Sequence, residues 1–187
     1  MRGPVLANVS AFKASCRTSL LTNSGTLGRR GRAGRLCAMA VSFECSTESV
    51  LAPERLFDLV RDITVHTDSM SKSRETAVGG VRNGLISLNE DVTWHAWHFG
   101  LPLRMTSRIT AMSPPRSFTD EQIRGPFDFF THEHEFRPQG TGTLMIDRVS
   151  FAAPLGVLGH AIEHLVLAKY MRRVIEQRNS FLQSVVE

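Results

Sequence analysis

The residues best equipped for chemistry in this chain are histidines set among aromatic rings. In Gly125-Pro126-Phe127-Asp128-Phe129-Phe130-Thr131-His132-Glu133-His134-Glu135-Phe136 a tight Gly-Pro turn launches an alternating segment. A strand puts Phe130, His132, His134 and Phe136 on one face and Phe127, Phe129, Thr131, Glu133 and Glu135 on the other. Trp94, Ala96 and His98 share a face of an earlier strand in the same way. If both faces point inward, three imidazoles and several rings line one cavity. An apolar hollow with a few polar anchors is the usual recipe for a small-molecule site. The competing reading is a packed core whose histidines hydrogen-bond to sheet neighbours or to ordered water.

Two further patterns carry chemistry. His160-Ala161-Ile162-Glu163-His164 matches H-x-x-E-H, in which imidazoles at i and i+4 share a helix face and a Glu could activate a metal-bound water. Only 23 residues follow His164, which leaves little room for a downstream acidic ligand, so neither a metal nor any other cofactor is expected. Arg178 falls on the apolar stripe of the last helix. A buried guanidinium needs Asp120, Asp147 or a ligand carboxylate as partner, unless its stem packs and its head reaches water. Asp120, Glu121, Glu133, Glu135 and Asp147 are the carboxylates available for acid–base work. No nucleophile elbow, phosphate loop or dinucleotide fingerprint occurs.

The elements that must position these groups follow from alternation and turn signals. Residues 41–47 read as a strand. Pro53 then suits a first helical turn, with Leu56, Phe57, Leu59 and Val60 as its apolar set, and a second short helix or turn covers 63–70. Strands follow at 74–79, 85–99, 103–112, 118–124, 127–137 and 143–152, separated by Gly-, Pro- and Asn-Gly turns. Short strands in series with tight turns imply an antiparallel meander. Residues 158–186 carry no Pro, and no Gly after Gly159, and read as one long helix. Its stripe holds Leu167, Met171, Val174, Ile175, Leu182 and Val185 together with His160, His164 and Arg178. Leu158, Ile162, Leu165 and Val166 lie off the stripe, so the helix starts apolar nearly all round.

The chain of 187 residues suffices for one domain, and its net charge of +4 is unevenly spread. No acidic residue precedes Glu44, whereas Arg2, Lys13, Arg17, Arg29, Arg30, Arg32 and Arg35 do. Taking those seven from 22 basic residues leaves 15 against 18 acidic ones, which removes the electrostatic footprint for nucleic acid. The Arg- and Ser-rich, acid-free arm has the composition of an organelle transit peptide. Residues 1–40 are accordingly read as a disordered transit peptide and 41–187 as the ligand-binding domain. Arg35-Leu36-Cys37-Ala38-Met39 favours chloroplast over mitochondrion. Of three cysteines only Cys45 lies beyond the arm, so an internal disulfide is excluded there. No run of roughly 18 apolar residues is present to cross a membrane.

The element order and several segments resemble a known superfamily. Val92-Thr93-Trp94-His95-Ala96-Trp97-His98-Phe99-Gly100, Phe118 through Phe127, His132-Glu133-His134-Glu135-Phe136 and Thr143 through Val149 look like the START/polyketide-cyclase (SRPBCC) superfamily, from about Val41 onward. The resemblance implies an α+β helix-grip fold: a curved seven-stranded antiparallel sheet wrapped around a long C-terminal helix, with two short helices after the first strand. It also implies an apolar pocket for a lipid, isoprenoid, quinone or pigment-related molecule. The expected ligand-binding residues are Trp94, Ala96, His98, Phe130, His132, His134, Phe136, His164, Met171 and Arg178. Alternatives are a cyclase or dehydratase with His98, His132 or His134 as general base, and an interaction module docking through Leu158 and Ile162. Transient contact with a membrane surface is expected during ligand exchange.

Overall fold

The computed structural model describes residues 15–19, 41–152, 154 and 166–185. Strand β2 (Val41–Ser49) leads into helix α1 (Pro53–Val60), which starts with Pro53 where a missing N–H costs nothing. Helix α2 (Ile63–Ser69) follows, capped by the Asp62 carboxylate, which accepts from the Thr64 and Val65 amides at 2.8 and 3.3 Å. Then come β3 (Thr76–Gly80), β4 (Asp91–His98), β5 (Leu101–Ser113), β6 (Ser117–Arg124), β7 (Phe129–Gln139) and β8 (Gly142–Ala152). Helix α3 (Ala168–Ser184) ends the described chain.

The seven strands β2–β8 pair antiparallel in the order β2-β8-β7-β6-β5-β4-β3, as a meander whose last strand returns to the first. The sheet curves around α3, giving the α+β helix-grip fold. An additional strand, β1 (Ser15–Ser19), pairs with the outer edge of β2 and makes the sheet eight-stranded. That strand lies in the arm, where the composition predicts none. Cys45 stands opposite Cys16 in this register and is disulfide-bonded. The sequence excludes a disulfide within residues 41–187, and Cys16 lies outside that range.

Strand β7 follows the expected alternation, with Phe130, His132, His134 and Phe136 buried between half-exposed or exposed neighbours. Phe127 departs from it. It precedes the strand, in the Gly-Pro turn, and packs inward on Phe130 and Phe151 at centroid distances of 5.4 and 5.5 Å. The strand expected over 85–99 begins only at Asp91. Residues before it form a turn in which Glu90 accepts from the Ser87 amide at 2.7 Å and Asn89 takes φ +66°. Val185 is exposed rather than on the buried stripe, as the cap that follows the last helical residue, Ser184. Residues 155–165, which include Leu158, His160, Ile162, His164 and Leu165, lie outside the described residues.

Two buried clusters flank the interior. Phe57 of α1 meets Phe118 and Phe136 edge-on, both at 5.6 Å, and anchors the first. The second joins Val41, Phe43, Phe130, Val149 and Phe151 of the sheet to Ala168 and Ile175 of α3. No described helix is long and apolar enough to cross a membrane.

Candidate functional site

Between the sheet and α3 lies a cavity of about 180 Å³. Its walls bring together residues distant in sequence: Trp94, Ala96 and His98 from β4, Phe130, His132 and His134 from β7, and Met171 and Arg178 from α3. Of the ten residues singled out in the sequence, these eight line it. Phe136 does not; it is consumed by packing on Phe57. His164 lies outside the described residues.

The polar wall is built by register. On β6, Asp120 stands opposite His132; on β8, Asp147 stands opposite His134. Asp147 is fully buried. Its Oδ1 accepts from His132 Nε2 at 3.0 Å and from Arg178 Nη2 at 2.9 Å, and lies 2.9 Å from His134 Nδ1. Its Oδ2 accepts from Asn179 Nδ2 at 2.8 Å, which also reaches Thr47 Oγ1 at 3.1 Å. Asp120, a fifth exposed, lies with its Oδ2 3.2 Å from His134 Nε2. The two imidazoles are tilted by 38° with centroids 3.8 Å apart, and Phe118 stacks on His134 at 4.2 Å.

Burial and partners oppose each other in this cluster. Burial pushes Asp147 up, yet the Arg178 charge and the hydrogen bonds from His132 and His134 outweigh it and hold the carboxyl well below its ordinary value. Asp120 is lowered for the same reason, burial being overcome by the His134 hydrogen bond and the His132 charge. Burial, reinforced by the neighbouring His134, pulls His132 down to about 4 despite Asp147. At neutral pH it is therefore an uncharged ring.

The cavity has two more polar features. His66 Nε2 lies 2.8 Å from Glu75 Oε1 while its ring stacks on Trp94 at 4.4 Å. His98 Nδ1 and Tyr170 Oη are 2.6 Å apart, with burial lowering the histidine and raising the tyrosine. Phe99 beside them has φ +54° and Gly100 +76°, the backbone of a two-residue hairpin turn that glycine or asparagine adopts readily and phenylalanine does not. Its ring lies 4.4 Å from that of Tyr170, a contact that offsets the strain. Ser107 Oγ, buried on the cavity wall, has no hydrogen-bond partner among the described residues.

Sequence reasoning passes over Asn179, Tyr170 and Ser107. A lone Asn beside Arg178 on the helix carries a signal only in that its amide must be satisfied once buried. Tyr170 is the chain's single tyrosine. Glu133 and Glu135, by contrast, sit on the outer face and pair with Arg148 at 3.3 and 2.8 Å, so they leave the carboxylate shortlist as surface ion pairs.

A curved sheet gripping a terminal helix around an internal cavity defines a helix-grip protein. The chain belongs to the family described as polyketide cyclase / dehydrase and lipid transport, which matches residues 40–187. Its fold is similar to that of TTHA0849 from Thermus thermophilus, at 14% identity and a TM-score of 0.62, covering 77% of this chain and 98% of that one. Ara h 8.0201 gives 14% identity and a TM-score of 0.57, over 78% and 99% of the two chains. Ginseng major latex-like protein 151 from Panax ginseng gives 11% and 0.59, over 79% and 97%. At these identities the likeness is one of fold. No curated protein matches the chain.

Proposed function

We propose that this protein binds and carries an apolar small molecule bearing a polar end, of the lipid, isoprenoid, quinone or pigment-related class. The observation that carries the reading is the cavity itself, mostly apolar but with a buried hydroxyl, Ser107 Oγ, that awaits a partner. Burial of a hydrocarbon tail contributes about 25 cal/mol per Å², enough to draw such a molecule from water or a bilayer. The hairpin tip beside the cavity exposes Trp97, Phe99 and Leu101 at 45%, 60% and 62%, and Phe99 also lines the cavity. This tip is the element through which the protein touches a membrane surface during exchange. The experiment is native mass spectrometry of the protein from its own compartment, with anilinonaphthalene sulfonate displacement to rank candidate lipids. A stoichiometric co-purified molecule that displaces the dye supports the carrier. A protein that neither retains a ligand nor takes up the dye refutes it.

A catalytic reading is favoured by one observation, the short His98–Tyr170 contact on the cavity wall. His98, held uncharged by burial, would act as general base on a polyketide-like or isoprenoid substrate. His98→Gln preserves ligand binding in a carrier and abolishes turnover in an enzyme.

Residues 1–40 are proposed to direct import into the chloroplast, on the support of their acid-free, Arg- and Ser-rich composition and of a family match that begins at residue 40. Import of labelled full-length chain into isolated chloroplasts, with processing near residue 40, is the expected result. Uptake by mitochondria alone would reassign the arm.

A further inference from the structure

We propose that Asp120, His132 and His134 form a binding site for a divalent first-row transition ion, zinc being the type case, with an open coordination position facing the cavity. Asp147, clamped by the Arg178 guanidinium, is ionised and only accepts. His132 Nε2 stands 3.0 Å from its Oδ1, and His134 Nδ1 stands 2.9 Å from the same oxygen and 3.5 Å from Arg178 Nη2. Each ring carries its second nitrogen on the side away from Asp147. Those two nitrogens, His132 Nδ1 and His134 Nε2, face the same Asp120 oxygen at 3.9 and 3.2 Å. A metal ion would draw His132 Nδ1, His134 Nε2 and the Asp120 oxygen onto one centre, in place of the His134–Asp120 hydrogen bond.

The geometry suits the metal. One ligand atom from each of Asp120, His132 and His134 lies within 4.8 Å of the others. Ligands at about 2.0–2.1 Å from a tetrahedral zinc stand about 3.4 Å apart, so the set closes with modest side-chain shifts. Imidazole nitrogens with a carboxylate match the softness of zinc and its neighbours better than that of magnesium or calcium. The outer shell is also in place. Histidines that hold metals donate their second N–H to a carboxylate, which fixes the ring and raises its basicity. Here one buried carboxylate serves both rings and is itself fixed by Arg178 and Asn179. Three protein ligands leave a fourth position, and all three line the cavity, so an oxygen atom of the cavity's occupant can reach it. Metal binding itself does not depend on the carrier reading.

The test is a titration of chelator-stripped full-length protein with Co²⁺, followed by its visible d–d absorption and then by displacement with Zn²⁺. One equivalent per chain is expected, with a zinc-dependent rise in melting temperature. Asp120→Asn, at a partly exposed position and of equal shape, should weaken Co²⁺ binding by at least about tenfold and remove the thermal response. The His160→Gln variant should bind as the parent does. The proposal is overturned if no saturable absorption develops, if Asp120→Asn binds undiminished, or if His160→Gln abolishes binding instead.

Discussion

Replacing Arg178 by methionine isolates what the guanidinium does beneath the cavity. Its Nη2 lies 2.9 Å from Asp147 Oδ1, and both side chains are almost wholly out of solvent. At an effective dielectric of about 20, opposite charges so placed attract by about 6 kcal/mol before desolvation is counted. Desolvation makes the net worth of such a pair small. Removing one partner is another matter, because the Asp147 carboxylate then stays buried without its cation, at a cost of about 3–5 kcal/mol. Methionine fills most of the volume, so the loss is electrostatic rather than a cavity effect.

The assay is urea denaturation followed by circular dichroism, in chelator, for the parent, Arg178→Met, Asp147→Asn and the double variant. Each single variant should lose several kcal/mol, and the double variant clearly less than their sum. Acid provides a second readout. The Asp147 carboxyl is depressed in the folded state, so its contribution is present above the unfolded value near 3.8 and is lost as pH falls through the folded value. Arg178→Met should therefore lose less than the parent does on acidification below pH 4. Additive single effects, or singles that each cost under about 1 kcal/mol, would refute the claim that this pair is electrostatically coupled.

Three other outcomes follow from the same wall. Burial holds His132 at about 4 against an ordinary 6.5, so below 6.5 the unfolded chain gains a proton that the folded one does not. Stability should fall by about 3 kcal/mol between pH 6.5 and 4, and His132→Gln, measured in chelator, should lose that slope; parallel curves would contradict it. Ala96→Phe, at a buried cavity position, should cut dye binding by more than about tenfold while the circular dichroism spectrum is kept, and unchanged dye affinity would move the binding site elsewhere. Ser107→Ala removes a hydroxyl that has no partner, so the empty protein should gain up to about 1 kcal/mol while affinity for a hydrogen-bonding ligand drops about fivefold; a destabilised variant would mean the hydroxyl is already engaged.

How much of this is legible in the sequence depends on the range of each signal. Alternation is local, so the inward set Phe130, His132, His134 and Phe136 can be read directly, as can the meander and the terminal helix. The misplacement of Phe127 has a local cause as well, since period two is extended through a turn where it does not hold. The onset of β4 at Asp91 escapes because 85–90 mimics strand composition while Asn89 and Glu90 fold it into a turn. Strand pairing is not local. Which of five carboxylates meets the histidines is decided by the registers Asp120↔His132 and His134↔Asp147, and no single strand records a register.

The same distinction explains why the polar cluster looks like isolated curiosities in the sequence. His132 and His134 read as cavity lining, Arg178 as an ion pair in want of a partner, and Asp147 as one acid among several. Each strand supplies half of a hydrogen bond, and α3 supplies the donors that close the set at Asp147. Asp147 gathers His132, Arg178 and Asn179, while on the other side of the rings His134 Nε2 meets Asp120 Oδ2 at 3.2 Å and His132 Nδ1 stands 3.9 Å from it. The two sides differ in what they border: Asp147 is fully buried, whereas Asp120 is a fifth exposed and lines the cavity with both histidines, so the Asp120 side of the cluster is the one a guest between the apolar walls can reach.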